Sequence, residues 1–193
     1  SSASVYGDAV ELPMTEAHPF NNKNFYGATK IAGEAMATAF NDRYGLEVIG
    51  LRYMNVYGPH QDQTAAYTGV VPIMLNKIEA NEAPVINGDG SQAYDFVYVE
   101  DVARCNIQAL KSEVTHGFYN VGTEVQTSIK ELCDTILELK NSNLKVVSRD
   151  TIQMFIRQAS RSSSWQSSNS PRDQIELHNR EECIAQVANR ENQ

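Results

Sequence analysis

A tyrosine and a lysine stand four residues apart where a helical pattern begins. The stretch "FNNKNFYGATKIAGEAMATAF" (20–40) contains Tyr26 and Lys30, and a helix would carry both side chains on one face. This spacing is compatible with a solvent-exposed pair at a helix edge. It is also compatible with acid/base chemistry, in which the lysine ammonium lowers the pKa of the tyrosine hydroxyl. Because a free tyrosine titrates near about 10, a shift of about 3 units corresponds to about 4 kcal/mol.

A serine-rich segment precedes this helix. "SSASVYG" (1–7) is predicted to contain the end of a strand, with Ser2 close to it. Ligands of open α/β sheets bind outside the carboxyl ends of the strands. A Ser2 hydroxyl there could hydrogen-bond a substrate oxygen whose proton Tyr26 removes, although the segment is also typical of an ordinary strand-to-turn junction.

The elements that must position these residues alternate along the chain. The first helix is indicated by apolar residues at helical spacing: Ile31, Ala32, Ala35, Met36, Ala39 and Phe40. Helices are predicted at 25–43, 70–81, 99–112 and 127–140, and strands at 46–58, 84–87, 94–99, 117–122 and 144–148. "GDGS" (88–91) is predicted to be a hairpin turn, and Thr127 the N-cap of the last helix with Glu131 near the capping-box position. Strands alternating with helices indicate an α/β architecture with a largely parallel sheet.

Composition excludes several classes of function. The 193 residues can form one ordinary domain, and the net charge of −8 disfavours nucleic-acid and anionic-membrane surfaces. No apolar run approaches the roughly 20 residues that a membrane span needs, and no secretory signal is visible. Three isolated cysteines predict reduced thiols in a cytoplasmic protein, and four scattered histidines predict no metal site.

Five stretches resemble, in order, successive motifs of the extended short-chain dehydrogenase/reductase family. They are "SSASVYGD", "YGATKIAGE", "LRYMNVYGP", "GDGSQAYDFVYVEDVARCNIQAL" and "FYNVGT". Within that family they are most similar to the NAD-dependent nucleotide-sugar epimerases and dehydratases, of which UDP-glucose 4-epimerase is typical. The resemblance covers residues 1–155. It implies the C-terminal part of an NAD(P)-binding, Rossmann-like doubly wound parallel sheet, with part of a small substrate-binding region.

The resemblance implies a catalytic role for three residues. Tyr26 would be the acid/base of a Tyr-x-x-x-Lys motif. Lys30 would bind the nicotinamide ribose and lower the tyrosine pKa, and Ser2 would complete the triad. The implied reaction is hydride transfer from C4 of the sugar to NAD+ while Tyr26 takes the 4-OH proton, followed by hydride return to the opposite face.

Further residues are implied around this triad. Asn55 matches an asparagine that contacts the nucleotide-sugar diphosphate, and Ser4 is a second hydroxyl candidate. Tyr53 and Val56 would line the cofactor and substrate sides of the strand end. The implied cofactor is NAD, and the implied substrate is a nucleotide sugar, most simply a UDP-hexose.

Two departures from the family pattern bear on the reaction. The 4,6-dehydratases usually carry an Asp-Glu pair directly after the triad hydroxyl, whereas Ala3 and Ser4 stand here. This favours epimerisation over the alternatives, a 4,6-dehydratase or a keto-sugar reductase. Tyr94 stands where many relatives have an arginine that binds the diphosphate, and tyrosine cannot supply a bidentate charged pair. Arg104, Arg149 and Arg157 remain open as replacements.

Both ends of the chain depart from the family. Residues 157–172 contain seven serines and show no hydrophobic periodicity. Residues 156–193 are therefore predicted to be a disordered or frame-shifted tail, and residues 1–155 a partial domain. No G-x-G-x-x-G turn occurs, so the first βαβαβ half of the dinucleotide-binding fold is expected to be missing. The chain alone is therefore expected to bind no NAD and to be inactive.

A non-catalytic role in association is a further hypothesis. The resemblance implies a homodimer formed through the helix that carries Tyr26 and Lys30. Small residues on this helix would permit close approach of a second helix: Ala28, Ala32, Gly33, Ala35 and Ala37. Packing of the same residues within the chain is the alternative.

Overall fold

A computed structural model describes residues 1–62 and 69–149. The tail predicted at 156–193 and Arg157 lie outside the described residues. The chain divides into two compact units. The first contains Ser1–Val56 and Tyr94–Gln126, and the described part of the second contains 57–62, 69–93 and 127–149.

The described elements alternate as the sequence predicts. The helices are α1 (Phe25–Tyr44), α2 (Val70–Glu79), α3 (Val99–Lys111) and α4 (Ile129–Leu139), with a short 3-10 helix at Ala3–Val5. The strands are β1 (Val48–Tyr53), β2 (Asn55–Tyr57), β3 (Val85–Asn87), β4 (Ala93–Tyr98), β5 (His116–Val121), β6 (Gln126–Ser128) and β7 (Val147–Arg149). None of the helices within the described ranges has the length and apolarity needed to cross a membrane.

The first unit is built around a parallel strand pair. Strand β1 pairs with β5 from Val48 opposite His116 to Tyr53 opposite Val121, which confirms the predicted parallel pairing. Helices α1 and α3 both contact β1. The core beside these strands consists of Leu51, Met54, Val97, Val102 and Val121. These buried aliphatic side chains hold β1 in place, and the candidate site lies at its carboxyl end.

Helix α1 begins at the predicted residue and is capped at both ends. The Asn24 side chain caps it by accepting a hydrogen bond from the Gly27 amide at 2.7 Å. Gly45 ends it in the left-handed conformation, with φ of 66°, which glycine adopts without the steric cost of a Cβ atom. The observed helix thus extends one residue beyond the predicted 25–43.

The buried face of α1 differs from the predicted apolar stripe. Met36 and Phe40 are 60% and 51% exposed, whereas Gly27 and Glu34 are buried. The apolar residues at helical spacing predict the helix correctly, but they do not predict which of its faces is buried. The reason is that, apart from Ile31, which packs against the buried cluster of Val5, Tyr6 and Met14, α1 docks through a glycine contact and a buried ion pair.

Two predicted strands are also revised. Residues 1–6 are not a continuous strand end, because Ala3–Val5 form the 3-10 helix and Ser2 makes an isolated parallel bridge to Tyr53. The strand predicted at 46–58 divides at Met54, whose amide donates to the Val121 carbonyl. Ser2 nevertheless lies beside the end of β1, where the sequence-based reasoning requires it.

The second unit contains a helix pair and a short parallel ladder. Helix α2 packs against α4, and Lys140 bonds Glu79 at 2.7 Å. Strand β3 pairs in parallel with β7. The capping box of α4 uses Glu131 as predicted, but its N-cap is Ser128, because Thr127 is buried within β6.

The turn "GDGS" does not join a hairpin. Strand β3 belongs to a sheet with β7, whereas β4 belongs to a three-stranded sheet of order β2-β4-β6, so the hairpin prediction is wrong. The backbone carbonyls of Gly90 and Gln92 instead accept hydrogen bonds from the amides of Lys130 and Ile129, at the start of α4. Non-local pairing therefore overrides the local turn preference.

Candidate active site

Tyr26 and Lys30 form an open pair on the first turns of α1. The Lys30 ammonium lies over the Tyr26 ring, 5.2 Å from the ring centroid. The tyrosine is 55% exposed, and Lys30 makes no ion pair with any residue in the described ranges. A lysine ammonium held against a solvent-facing phenol ring can also donate hydrogen bonds to a ligand.

Ser2 is held beside the end of β1 by local hydrogen bonds. Its hydroxyl accepts from the Ser4 amide at 3.2 Å and donates to the Ser4 hydroxyl at 3.1 Å. Among the described residues, no hydrogen bond joins Ser2 directly to Tyr26. A substrate oxygen between them would therefore compete with Ser4 for the Ser2 proton, and Ser4 acts here as the partner that orients Ser2.

Gly27 allows α1 to approach the 3-10 helix. A Cβ atom at this position would lie 2.4 Å from the Ser4 carbonyl oxygen and 2.1 Å from the Asn22 side-chain oxygen. The close approach places the helix turn that carries Tyr26 and Lys30 against the segment that carries Ser2.

Two glycines of α1 provide a matched test of this contact. Gly27→Ala should lower the free energy of unfolding by about 1–3 kcal/mol, because a methyl group there overlaps the Ser4 backbone. Gly33→Ala should raise it by about 0.5–1 kcal/mol, because alanine is the better helix former and the site has no atom within 4 Å of an added Cβ. Urea unfolding measures both. Equal effects of the same sign would contradict the proposed close contact.

The end of β1 and the start of β2 carry three further predicted residues. The Tyr53 hydroxyl bonds the Asn106 side chain of α3 at 2.9 Å, and the Asn55 amide donates to the Asp95 carbonyl at 3.3 Å. Tyr53 and Val56 are half-buried and pack against the first unit's core. That Tyr53 and Val56 line the cofactor and substrate sides of the strand end stays a prediction.

Asp95 organises a loop near Asn55 in a way that the sequence did not reveal. This carboxylate is only 1% exposed and accepts hydrogen bonds from the Thr123 amide, the Thr123 hydroxyl and the Glu124 amide at 2.7–3.0 Å. Burial raises the pKa of Asp95 despite the lowering effect of these hydrogen bonds. The sequence signal for this arrangement was an acidic residue inside the apolar run "YDFVYV", because a carboxylate that is buried there needs hydrogen-bond partners.

Tyr94, Arg104 and Arg149 are the described candidates for contact with the diphosphate. Tyr94 is half-buried, its ring packs edge-on against Phe96 at 6.1 Å, and burial raises its pKa. It can therefore offer a neutral hydroxyl donor. Arg104 pairs with Asp101 on α3, and Arg149 is an exposed residue of β7. These contacts do not indicate that either arginine binds a diphosphate.

A buried ion pair that sequence reasoning missed joins α1 to β1. Arg52 donates to both carboxylate oxygens of Glu34, at 2.9 Å from Nε and 2.7 Å from Nη2. Their side chains are 5% and 6% exposed. Burial acts against the charged guanidinium, but its hydrogen bonds to Glu34 and Tyr6 outweigh this effect, and the pKa of Arg52 lies above its ordinary value.

The ion pair belongs to a larger buried network. Arg52 also donates to the Tyr6 hydroxyl at 2.8 Å, and Tyr6 donates to the Asn120 side chain at 2.6 Å. Asn120 in turn donates to the Met14 carbonyl at 3.1 Å. The network ties the 3-10 segment, α1, β1 and β5 together, so it fixes the elements that carry the candidate site.

Residues 1–122 match the family described as "NAD dependent epimerase/dehydratase family". The chain belongs to this family. The match confirms the resemblance that the motifs indicate, and it identifies NAD as the family's cofactor. The α/β architecture with parallel pairing is that of Rossmann-like epimerase/dehydratase structures.

Similar proteins include both epimerases and dehydratases. The putative UDP-glucose 4-epimerase of Methanocaldococcus jannaschii is 44% identical over 138 residues, which are 70% of this chain and 44% of that protein. The human dTDP-D-glucose 4,6-dehydratase is 30% identical over 139 residues, 72% of this chain and 39% of that protein. This chain therefore spans less than half the length of these two relatives.

A solved structure extends the likeness to the fold. The UDP-N-acetylglucosamine 4-epimerase from Methanobrevibacter ruminantium M1, in complex with UDP-N-acetylmuramic acid, has a TM-score of 0.81 and 31% identity. The alignment covers 97% of this chain and 60% of that one.

Proposed function

We propose that the protein is an isomerase: an NAD-dependent nucleotide-sugar epimerase that inverts C4 of a UDP-hexose through a 4-keto intermediate. This chain would supply the acid/base residues and part of the substrate site. The observation that carries the proposal is the open Tyr26–Lys30 pair beside a Ser2 segment that lacks the dehydratase carboxylates. Ala3 and Ser4 occupy those positions as part of a 3-10 turn. The higher identity to the M. jannaschii protein, a putative epimerase, supports the same choice.

Each residue has a separate part in the proposed reaction. Tyr26 would remove the 4-OH proton of the sugar and return it after the sugar has rotated. Ser2 would hydrogen-bond the same oxygen, with Ser4 orienting the serine hydroxyl. Asn55 would donate to the diphosphate, and Tyr94 would add one neutral hydroxyl donor.

The residues present fit the nicotinamide end of NAD. Lys30 has ammonium donors free of ion pairs within the described ranges, as ribose hydroxyls would require, and it lies against a solvent-open tyrosine. Bound NAD+ would supply the chemistry of accepting a hydride from C4 and returning it. Tyr53 and Val56, at the end of β1 and in β2, would border this position.

Product analysis tests the reaction class. Because the chain contains no glycine-rich phosphate turn, the assay uses a fusion in which the part of the M. jannaschii protein before its matched region precedes Ser1. Incubation with NAD+ and UDP-glucose should give the C4 epimer and no other sugar. A 4-keto-6-deoxy product, detected by its absorbance in base, would instead favour a 4,6-dehydratase, the class of the human relative. A folded fusion that yields neither product would contradict the enzymatic proposal.

We also propose that the protein forms a homodimer through the outer face of α1. Ala28, Ala32 and Ala35 are exposed, so they do not pack against the described residues of this chain. The apolar side chain of Phe40 on the same helix is 51% exposed. Light scattering at micromolar concentration should give twice the chain mass, and Phe40→Glu should give the monomer mass. A monomer without the substitution would contradict this interface.

A further inference from the structure

The Glu34 carboxylate lies one helical turn after Lys30. Residues at i and i+4 of a helix are neighbours, and a lysine and a glutamate at this spacing attract each other. Tyr26, Lys30 and Glu34 thus occupy three successive turns of one strip of α1. Lys30 therefore has two possible partners, the tyrosine ring before it and the carboxylate after it.

The Glu34 carboxylate already has other hydrogen-bond partners. Its Oε1 accepts from Arg52 Nε at 2.9 Å and from the Ser1 hydroxyl at 2.5 Å, and its Oε2 accepts from Arg52 Nη2 at 2.7 Å. A bidentate guanidinium neutralises a carboxylate and engages both of its oxygens. The Lys30 ammonium accordingly lies over Tyr26 and not on Glu34.

We propose that Arg52 is a positioning residue that keeps Lys30 available to the active site by neutralising Glu34. Without Arg52, the Glu34 carboxylate would be a buried charge in need of a cation, and Lys30 is the cation one turn away. Lys30 would then turn from Tyr26 toward Glu34, away from the place where a ribose would bind. The catalytic part of this inference rests on the proposed function, whereas the choice of partner by Lys30 does not.

The inference predicts an asymmetry that a merely structural ion pair would not produce. Arg52→Gln leaves a carboxylate that attracts Lys30, whereas Glu34→Gln removes that carboxylate and leaves Lys30 on Tyr26. Each substitution breaks the same ion pair. If the pair served only to stabilise the fold, both variants would affect Lys30 alike.

Nuclear Overhauser contacts in the full 193-residue chain provide the readout. The contact between the Lys30 ε-methylene protons and the Tyr26 ring protons should be present in the unmodified chain. It should be lost in Arg52→Gln, kept in Glu34→Gln and restored in the double variant Arg52→Gln/Glu34→Gln. Retention in Arg52→Gln, as would follow if Glu34 became protonated, would overturn the proposal, and so would loss in both single variants.

A second pair of variants does not disturb the buried network. Gly33 is exposed, with no atom within 4 Å of an added Cβ, and it lies three residues after Lys30. Gly33→Glu should draw Lys30 off Tyr26 because its carboxylate has no arginine partner, whereas Gly33→Gln should not. If Arg52→Gln fails to fold, this pair still decides whether an unneutralised neighbouring carboxylate displaces Lys30. An unchanged contact in Gly33→Glu would overturn the inference.

The two proposals can fail independently. The resonance measurement needs neither cofactor nor turnover, so loss of the predicted asymmetry contradicts the role of Arg52 alone. Absence of epimerase product from the fusion contradicts the proposed function alone. If both hold, Arg52→Gln should lower turnover in the fusion by a larger factor than Glu34→Gln does.

Discussion

Replacing Tyr26 by phenylalanine should lower turnover of the active fusion by about 10²–10⁴-fold, the usual contribution of a general acid/base. The substitution removes the hydroxyl that would exchange a proton with the sugar 4-OH. It keeps the ring, so the cation–π contact with Lys30 and the local packing survive. Steady-state kinetics with the nucleotide sugar measure the effect, and KM should change little because the hydroxyl acts on the transition state.

Another tyrosine of the same helix is the matched control. Tyr44 lies in the last turn of α1 and is 73% exposed. Tyr44→Phe removes the same atom from a position with no proposed chemistry, and its turnover should equal that of the unmodified fusion. Near-normal turnover in Tyr26→Phe would refute the acid/base assignment, whatever the control shows.

Arg52→Gln should destabilise the chain by about 3–5 kcal/mol, the usual cost of removing one partner of a buried ion pair. The variant leaves the Glu34 carboxylate, which is 6% exposed, without its bidentate partner. It also removes a cation that lies 5.1–5.6 Å from the ring centroids of Tyr6, Phe20 and Phe118. Urea unfolding followed by circular dichroism should show a lower midpoint.

An exposed ion pair provides the comparison. Lys77 pairs with Glu82 at 2.9 Å, with side chains 37% and 63% exposed. Lys77→Gln should cost at most about 1 kcal/mol, because water screens the charges and solvates the remaining partner. If Arg52→Gln and Lys77→Gln unfolded at the same urea concentration, the buried network would not have the stabilising role that its geometry indicates.

Local signals in the sequence determined much of the framework. The predicted helix 25–43 agrees with α1 to within one residue, because helix formation and capping depend on side chains and backbone angles within one turn. The spacing of Tyr26 and Lys30 determines that they share a face for the same local reason. The order of the motifs was sufficient to indicate the family, because this order is a property of the sequence and does not depend on how the elements pack.

Only the tertiary structure decided how the site is held. The buried face of α1 could not be predicted from apolar periodicity, because its anchors are Gly27 against Ser4 and Glu34 against Arg52, partners distant in sequence. The same limitation explains the failed hairpin, since the partner of β3 is β7 and not the next strand. An ion pair or a close backbone contact stabilises the fold only once both groups have been brought together. A local sequence pattern therefore cannot predict it.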